Sequence, residues 1–330
     1  MRLRGLFRAV ILTLILMIAL PLCAGAAEGT VPPSPEPPAA NPDGRPTPAP
    51  TAVPTETVVD HTHQPDLYPY FSFLPDRKLF EIWFPNITDA DEAVLIYDGE
   101  VWLIDCGDEK AGARGARLLR QLGIEKIDRL FTSHLHHDHI NGLAATDDTA
   151  KVSEVRICFS PDLTSSGLKL IQVAEERHIP VKEYADGDRF TMGDGAVELL
   201  FLKNSEQNLD MNNQSAVTRI TYGQRAILFM ADMEQPGQVA MFNRIDPELL
   251  KCDIVKYPHH AKTEMYTPFF EAMGAKLAIV TSTEGRKDGG QIWLFNRKLP
   301  AVYTYAGAQF THLVTDGEYW LCERVAITVK

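Results

Sequence analysis

Ser133-His134-Leu135-His136-His137-Asp138-His139-Ile140 decides how the chain is read, because the four positions of a His-x-His-x-Asp-His ligand pattern fall within six residues directly after an apolar run. The preceding Ile127-Asp128-Arg129-Leu130-Phe131-Thr132 reads as one buried strand. The His-rich segment is then the loop leaving its end, where backbone can curl several ligands toward one point. Neutral imidazoles with a carboxylate form the borderline-soft ligand set that suits Zn²⁺ and also Mn²⁺ or Fe. A solvated His-rich surface loop is the plain alternative, and it explains neither the spacing nor the Asp138 set between His136 and His139.

Two later apolar strands end in the same way. Arg225 to Met230 is followed by Asp232, and Cys252 to Tyr257 by His259 and His260. Alone, Asp232 reads equally well as a helix N-cap and the two histidines as a surface pair; beside the central loop they read as further ligands on one rim. A shared Asp suits two ions about 3.5–4 Å apart, and water acidified there is a hydrolytic nucleophile. Neighbouring side chains on an extended segment point in opposite directions, so only one of His259 and His260 is expected to ligate.

Around these motifs, Ala93 to Tyr97 and Val101 to Ile104 predict a hairpin across Asp98-Gly99, and Ala111 to Leu122 a helix stopped by Gly123. A second helix is expected over Ser165 to His178, capped by Ser165 or Ser166, and others from about Gln235 to Asn243 and Thr267 to Met273. Strands are expected at Val197 to Phe201, Ala216 to Tyr222, Leu277 to Val280, near Ala301 to Tyr305 and at Glu318 to Cys322. Strands in two groups with helices attached to each predict an α/β fold, with two mixed sheets packed face to face and helices outside.

The chain has 330 residues and 45% hydrophobic content, enough for a substantial core. Arg2, Arg4 and Arg8, the apolar run Ala9 to Leu22 and Ala24-Gly25-Ala26 form the charged, apolar and small-residue series of a signal peptide. Residues 1–26 are therefore expected to direct export, or to remain as an N-terminal anchor. Ten of the 22 prolines fall in residues 28–58, so 27–66 reads as an extended linker that buries nothing. The folded domain is expected over 67–330, and the protein in a secreted or cell-envelope location. The formal charge of −12 disfavours non-specific attraction to a polyanion, and no specific recognition of duplex DNA is expected. Membrane contact is expected only through an uncleaved N-terminus. Cys106, Cys158, Cys252 and Cys322 lie in or beside apolar runs without framework spacing, which predicts free thiols.

The sequence resembles the metallo-β-lactamase fold superfamily, and within it the metallo-β-lactamase domain of ComEC competence proteins and its stand-alone secreted relatives. The resemblance covers about residues 79–325 and rests on Leu103-Ile104-Asp105-Cys106-Gly107, on Ser133 to Leu143, on Asn212-Asn213-Gln214-Ser215-Ala216-Val217, on Phe229-Met230-Ala231-Asp232 and on Lys256-Tyr257-Pro258-His259-His260-Ala261. It implies a four-layer αββα sandwich holding one or two divalent ions, Zn²⁺ first and Mn²⁺ or Fe as alternatives. One ion would take His134, His136 and Asp232, with an open position because no separate His precedes Asp232 at a strand end. The second would take Asp138, His139, Asp232 and His260. Asp105 would support the metal loop by hydrogen bonds without ligating, and Asp138 would also orient the nucleophile. His259 would meet the substrate's anionic oxygen and protonate the leaving group, with Asn212, Ser215 and Lys256 as further substrate contacts. Asn141 and Ala261 stand where the family has Gly, and its Asn-x-Tyr-Gly-His-Pro segment is absent.

The resemblance implies a secreted metal-dependent hydrolase of phosphodiesters, either nucleic-acid or phosphocholine-type. Hydrolysis of a small ester, lactone or β-lactam is the alternative within hydrolases. A non-catalytic binding or display module on the same fold is the alternative outside them.

Overall fold

The computed structural model describes residues 77–206, 208–307 and 309–326. The signal (1–26) and linker (27–66) assignments, and the domain start at 67, lie outside the described residues. In chain order the first half runs β1 (Phe80–Phe84), β2 (Glu92–Tyr97), β3 (Glu100–Cys106), α1 (Glu109–Gln121), β4 (Lys126–Ile127), β5 (Arg129–Phe131), α2 (His137–Ile140), α3 (Leu143–Thr149), β6 (Lys151–Val152), β7 (Val155–Ile157), α4 (Ser165–Glu176) and β8 (Val181–Glu183). The second half runs β9 (Arg189–Met192), β10 (Val197–Leu202), β11 (Val217–Tyr222), β12 (Arg225–Phe229), α5 (Gln235–Arg244), β13 (Ile254–Lys256), α6 (Thr267–Met273), β14 (Leu277–Thr283), α7 (Gly289–Asn296) and β15 (Ala301–Tyr305). The closing strands β16 (Phe310–Thr315) and β17 (Trp320–Val325) return to the first sheet.

An eight-stranded sheet in the order β17-β16-β1-β2-β3-β5-β7-β8 faces a seven-stranded sheet in the order β15-β14-β13-β12-β11-β10-β9. This is the expected sandwich of two mixed sheets with helices outside. Alternation along each strand supplies its two apolar faces. On β2, Ala93, Leu95 and Tyr97 enter the core between the sheets with Ile227 and Phe229 of β12, while Val94 faces outward into a cluster with Leu118 and Leu119 of α1. Strands covered on both faces can be apolar at nearly every position, which is why β12 is buried throughout.

Several boundaries differ from expectation for local reasons. The single strand expected over Ile127 to Thr132 is two: β4 pairs with β6 and β5 joins the main sheet. Asp128 makes the break, its Oδ2 accepting from Val101 N at 3.0 Å. The cap of α4 is Thr164, whose Oγ1 accepts from Gly167 N at 2.8 Å, rather than Ser165 or Ser166, and the helix ends at Glu176. The strand expected from Cys252 shortens to Ile254–Lys256 because the Asp253 carboxylate turns to accept from Ala226 N.

Glycine is required at one place that bears on the site. A Cβ on Gly142, just after the His-rich loop, would lie 1.8 Å from the Cys106 carbonyl oxygen, so only Gly lets α3 sit against the end of β3. Among the described residues no helix is long and apolar enough to cross a membrane, and the four described cysteines are free thiols.

Candidate metal centre

β5 and β3 run parallel, as do β12, β13 and β14, so the loops leaving β5, β12 and β13 open on one rim of the sandwich. One ligand-type atom from each of Asp138, His139, Asp232 and His260 lies within 4.8 Å of the others, all four groups buried or nearly so. His139 Nε2 is 3.3 Å from Asp232 Oδ1, and His260 Nε2 is 3.4 Å from Asp138 Oδ2 and 3.8 Å from Asp232 Oδ1. His139 Nε2, His260 Nε2 and Asp232 Oδ1 are buried without a hydrogen-bond partner. Three converging orphan atoms of this kind are costly unless a cation joins them, and two imidazole nitrogens with carboxylate oxygens are a donor set that suits a divalent ion.

His134 and His136 form a second pair beside them, His134 Nε2 lying 3.1 Å from His136 Nδ1. Burial, with the neighbouring His139 charge, pushes both below the ordinary imidazole range. They are held neutral, as ligands must be. Asp232 contributes to the field at both, which puts one carboxylate within influence of both groups. In Asp138, burial would raise the carboxyl, but His260 and His139 more than reverse this and hold it below the usual carboxylate range. His139 and His260 are pushed up despite their burial, Asp232 being the leading cause in each. The carboxylates thus favour positive charge in the cluster.

Asp105 is buried behind the loop and accepts from Ser133 N, Ser133 Oγ and His139 Nδ1, each at 2.7 Å. His259 Nδ1 lies 2.8 Å from Glu234 Oε1, with Nε2 3.7 Å from Asp232 Oδ2. His260 therefore joins the cluster and His259 stands on the rim, but the reason is not an extended backbone. His259, His260 and Ala261 are all left-handed, with φ of 47°, 52° and 63°, and this tight coil separates the two rings.

Two expected substrate contacts are corrected. Lys256 is 2% exposed, and its Nζ donates to Asp91 Oδ2 and, at 3.4 Å, to the Ala231 carbonyl. Its charge is neutralised inside the sandwich and is not offered to a ligand. Ser215 is 0% exposed, with Oγ 3.4 Å from the Met211 carbonyl. Asn212 does lie beside His136, with Oδ1 buried and without a hydrogen-bond partner.

Sequence reasoning missed Asp91, Thr281 and Glu234. Asp91 accepts from Lys256 and from Thr281 Oγ1 at 2.6 Å. Burial would raise its carboxyl, and Lys256 and His260 together hold it well below the ordinary range. Asp91, Asp105 and His139 also come within ligand distance of one another, but the Lys256 ammonium already supplies the cation there. In the sequence Asp91 sits in Asp89-Ala90-Asp91-Glu92, which looks like a polar turn before β2.

Residues 92–280 match the Metallo-beta-lactamase superfamily, and the chain belongs to that superfamily of metal-dependent hydrolases. Among curated relatives, Competence protein ComA of Neisseria gonorrhoeae is 26% identical over 182 residues, 54% of this chain and 24% of ComA. Ribonuclease Z of Pediococcus pentosaceus is 40% identical over 60 residues, 18% of each chain. The chain thus spans less than a quarter of the length of these relatives. Among solved structures, the metallo-beta-lactamase fold protein YhfI from Bacillus subtilis aligns with a TM-score of 0.44 at 14% identity, covering 68% of this chain and 95% of that one.

Proposed function

We propose that the chain is an extracytoplasmic phosphodiesterase whose metal centre is held by His134, His136 and Asp232 on one side and by Asp138, His139, Asp232 and His260 on the other. The observation that carries the metal centre is the convergence of the orphaned His139 Nε2, His260 Nε2 and Asp232 Oδ1. The substrate class is supported by the relatives named ribonuclease Z and zinc phosphodiesterase ELAC protein 1, which match short segments of this chain. Export is supported by the signal-like residues 1–26 and the Pro-rich stretch after them.

When bound, divalent ions, Zn²⁺ first, supply Lewis acidity and the acidified nucleophile that hydrolysis at neutral pH requires. Asp105 and Ser133 hold the His-rich loop in place. Asp138 stands within the cluster, where its free lone pairs can orient an attacking water. Glu234 accepts from His259 Nδ1–H and leaves Nε2 on the rim to exchange a proton with the leaving oxygen. Asn212, beside His136, is the remaining contact for the substrate's polar oxygens.

Elemental analysis of the purified chain, combined with turnover of chromogenic phosphodiesters, phosphomonoesters, lactones and β-lactams, tests the reading. Bound metal with phosphodiester turnover is expected. Turnover confined to a lactone or β-lactam would replace the substrate class, and a metal-free, inert protein would favour a binding module.

A further inference from the structure

We propose that Asp91, acting through the Thr281 hydroxyl, is the positioning residue that fixes the tautomer of His260, as Asp105 acting through Ser133 does for His134. The proposal rests on the metal-centre reading above and assigns a role to two residues outside the ligand set.

The count of protons among three groups decides the tautomer. Thr281 Oγ1 lies 2.6 Å from Asp91 Oδ1 and 2.9 Å from His260 Nδ1, whereas His260 Nδ1 approaches that Asp91 oxygen directly only to 3.3 Å, so the hydroxyl is the nearer partner of the ring. A carboxylate only accepts and a hydroxyl carries a single proton, so that proton goes to Asp91. Toward His260 the hydroxyl can then only accept, which requires the proton of the neutral ring to be on Nδ1. Nε2 is left as a lone pair facing Asp138 and Asp232, as a ligand must be. Asp91 stays an acceptor because Lys256, buried beside it, donates to its other oxygen.

The same relay recurs between β3 and the loop after β5. Ser133 Oγ donates to Asp105 Oδ2 at 2.7 Å and lies 3.1 Å from His134 Nδ1, so by the same count the proton of a neutral His134 is on Nδ1 and Nε2 is a lone pair, turned toward His136 Nδ1. Two devices of carboxylate, hydroxyl and imidazole therefore flank the centre, one joining the start of β2 to β14 across the sandwich and one within the eight-stranded sheet. Backbone geometry also serves the Asp91 relay. Asp91 N donates to the Asp138 carbonyl at 3.1 Å, fastening Asp91 to the metal loop. Thr281 lies where the pairing of β14 with β15 shifts register, between Val280 and Thr283, an irregularity of the kind that re-aims side chains near active sites.

Thr281→Val keeps the shape of the side chain and removes the relay, while Thr281→Ser keeps the hydroxyl. In the metal-free full-length chain, ¹⁵N spectra of the histidine rings at a pH where they are neutral should show His260 as the Nδ1–H tautomer in wild type and Thr281→Ser. Thr281→Val should show a mixture. Titration with Zn²⁺ followed by calorimetry should show one equivalent weakened about 10- to 100-fold in Thr281→Val, and wild-type affinity in Thr281→Ser. The double variant Asp91→Asn with Lys256→Met, which leaves no lone buried charge, should weaken the same equivalent. Unchanged tautomer and affinity in Thr281→Val would overturn the proposal, as would a Thr281→Ser chain as impaired as the Val variant. A wild type that keeps the Nδ1–H tautomer but binds no Zn²⁺ would count against the hydrolase reading and leave the relay standing.

Discussion

Replacing His260 by Ala takes a buried imidazole out of the cluster with Asp138, His139 and Asp232, and the variant is expected to lose metal. His259→Ala should keep metal and lose turnover by about 10²- to 10⁴-fold, the range for removal of a positioned proton donor. Measuring metal content beside kcat in both variants checks the division, and the reverse pattern would exchange the two roles. Glu234→Gln should act in the same direction as His259→Ala without releasing metal, because only the Nδ1 partner on the rim changes. The residues of the cluster were legible from sequence because their chemistry lies in residue type and spacing. Lys256 and Ser215 were misread because motif matching carries no information on burial, and both side chains turn inward. Asp91 was invisible for the opposite reason: its value comes from Lys256, more than a hundred residues away in sequence.

At the scale of elements, the coil at residues 258–261 holds three consecutive non-glycine residues at positive φ, and Ala231 before Asp232 is a fourth at 47°. Such residues cost of order 1 kcal/mol each and cluster where function over-determines the backbone. Ala261→Gly and Ala231→Gly should therefore each stabilise the chain by about 1 kcal/mol, less the extra freedom gained by the unfolded chain. A higher denaturant midpoint at unchanged slope would confirm this, and an unchanged or lower midpoint would refute it. On β16, His312 stacks on Trp83 at 3.8 Å and lies 2.9 Å from Glu323 Oε1 and 3.0 Å from Glu81 Oε2. Burial would lower its pKa, but the two carboxylates raise it above the usual 6.5. The raised value sets the sign: His312 stabilises fully below the unfolded value and its contribution is lost as pH rises through the folded one. His312→Gln should flatten the fall of Tm on the alkaline side of neutrality, and parallel curves for variant and wild type would refute it. This strand was missed in the sequence because Thr311, His312 and Thr315 dilute its apolar pattern. Helix α7 was missed because it opens on Gly289-Gly290. The strands of the central layers were legible because both of their faces are covered.

For the whole molecule, the cluster draws its residues from both sheets, so an ion bound there would tie the two halves together. Chelation is expected to lower Tm, and metal at a hundred times its Kd corresponds to about 2.7 kcal/mol of added stability. A Tm indifferent to chelator would contradict the cluster's assignment. Because His139 and His260 hold protons more tightly than free imidazole, an ion must displace them, and affinity should weaken as pH falls. Titrations at two pH values with proton release recorded would measure this. The sandwich was legible from strand grouping, whereas the return of β16 and β17 to the first sheet depends on pairing with β1, which no local pattern announces. The rim is completed only when residues far apart in the chain have met. As synthesis proceeds, the His-rich tract therefore emerges as a free chelator long before His260 and Thr281 exist, and whatever it holds then is held loosely. Choice among ions is left to the finished cage, so the identity of the metal is set at the end of folding and not while the chain is still being made.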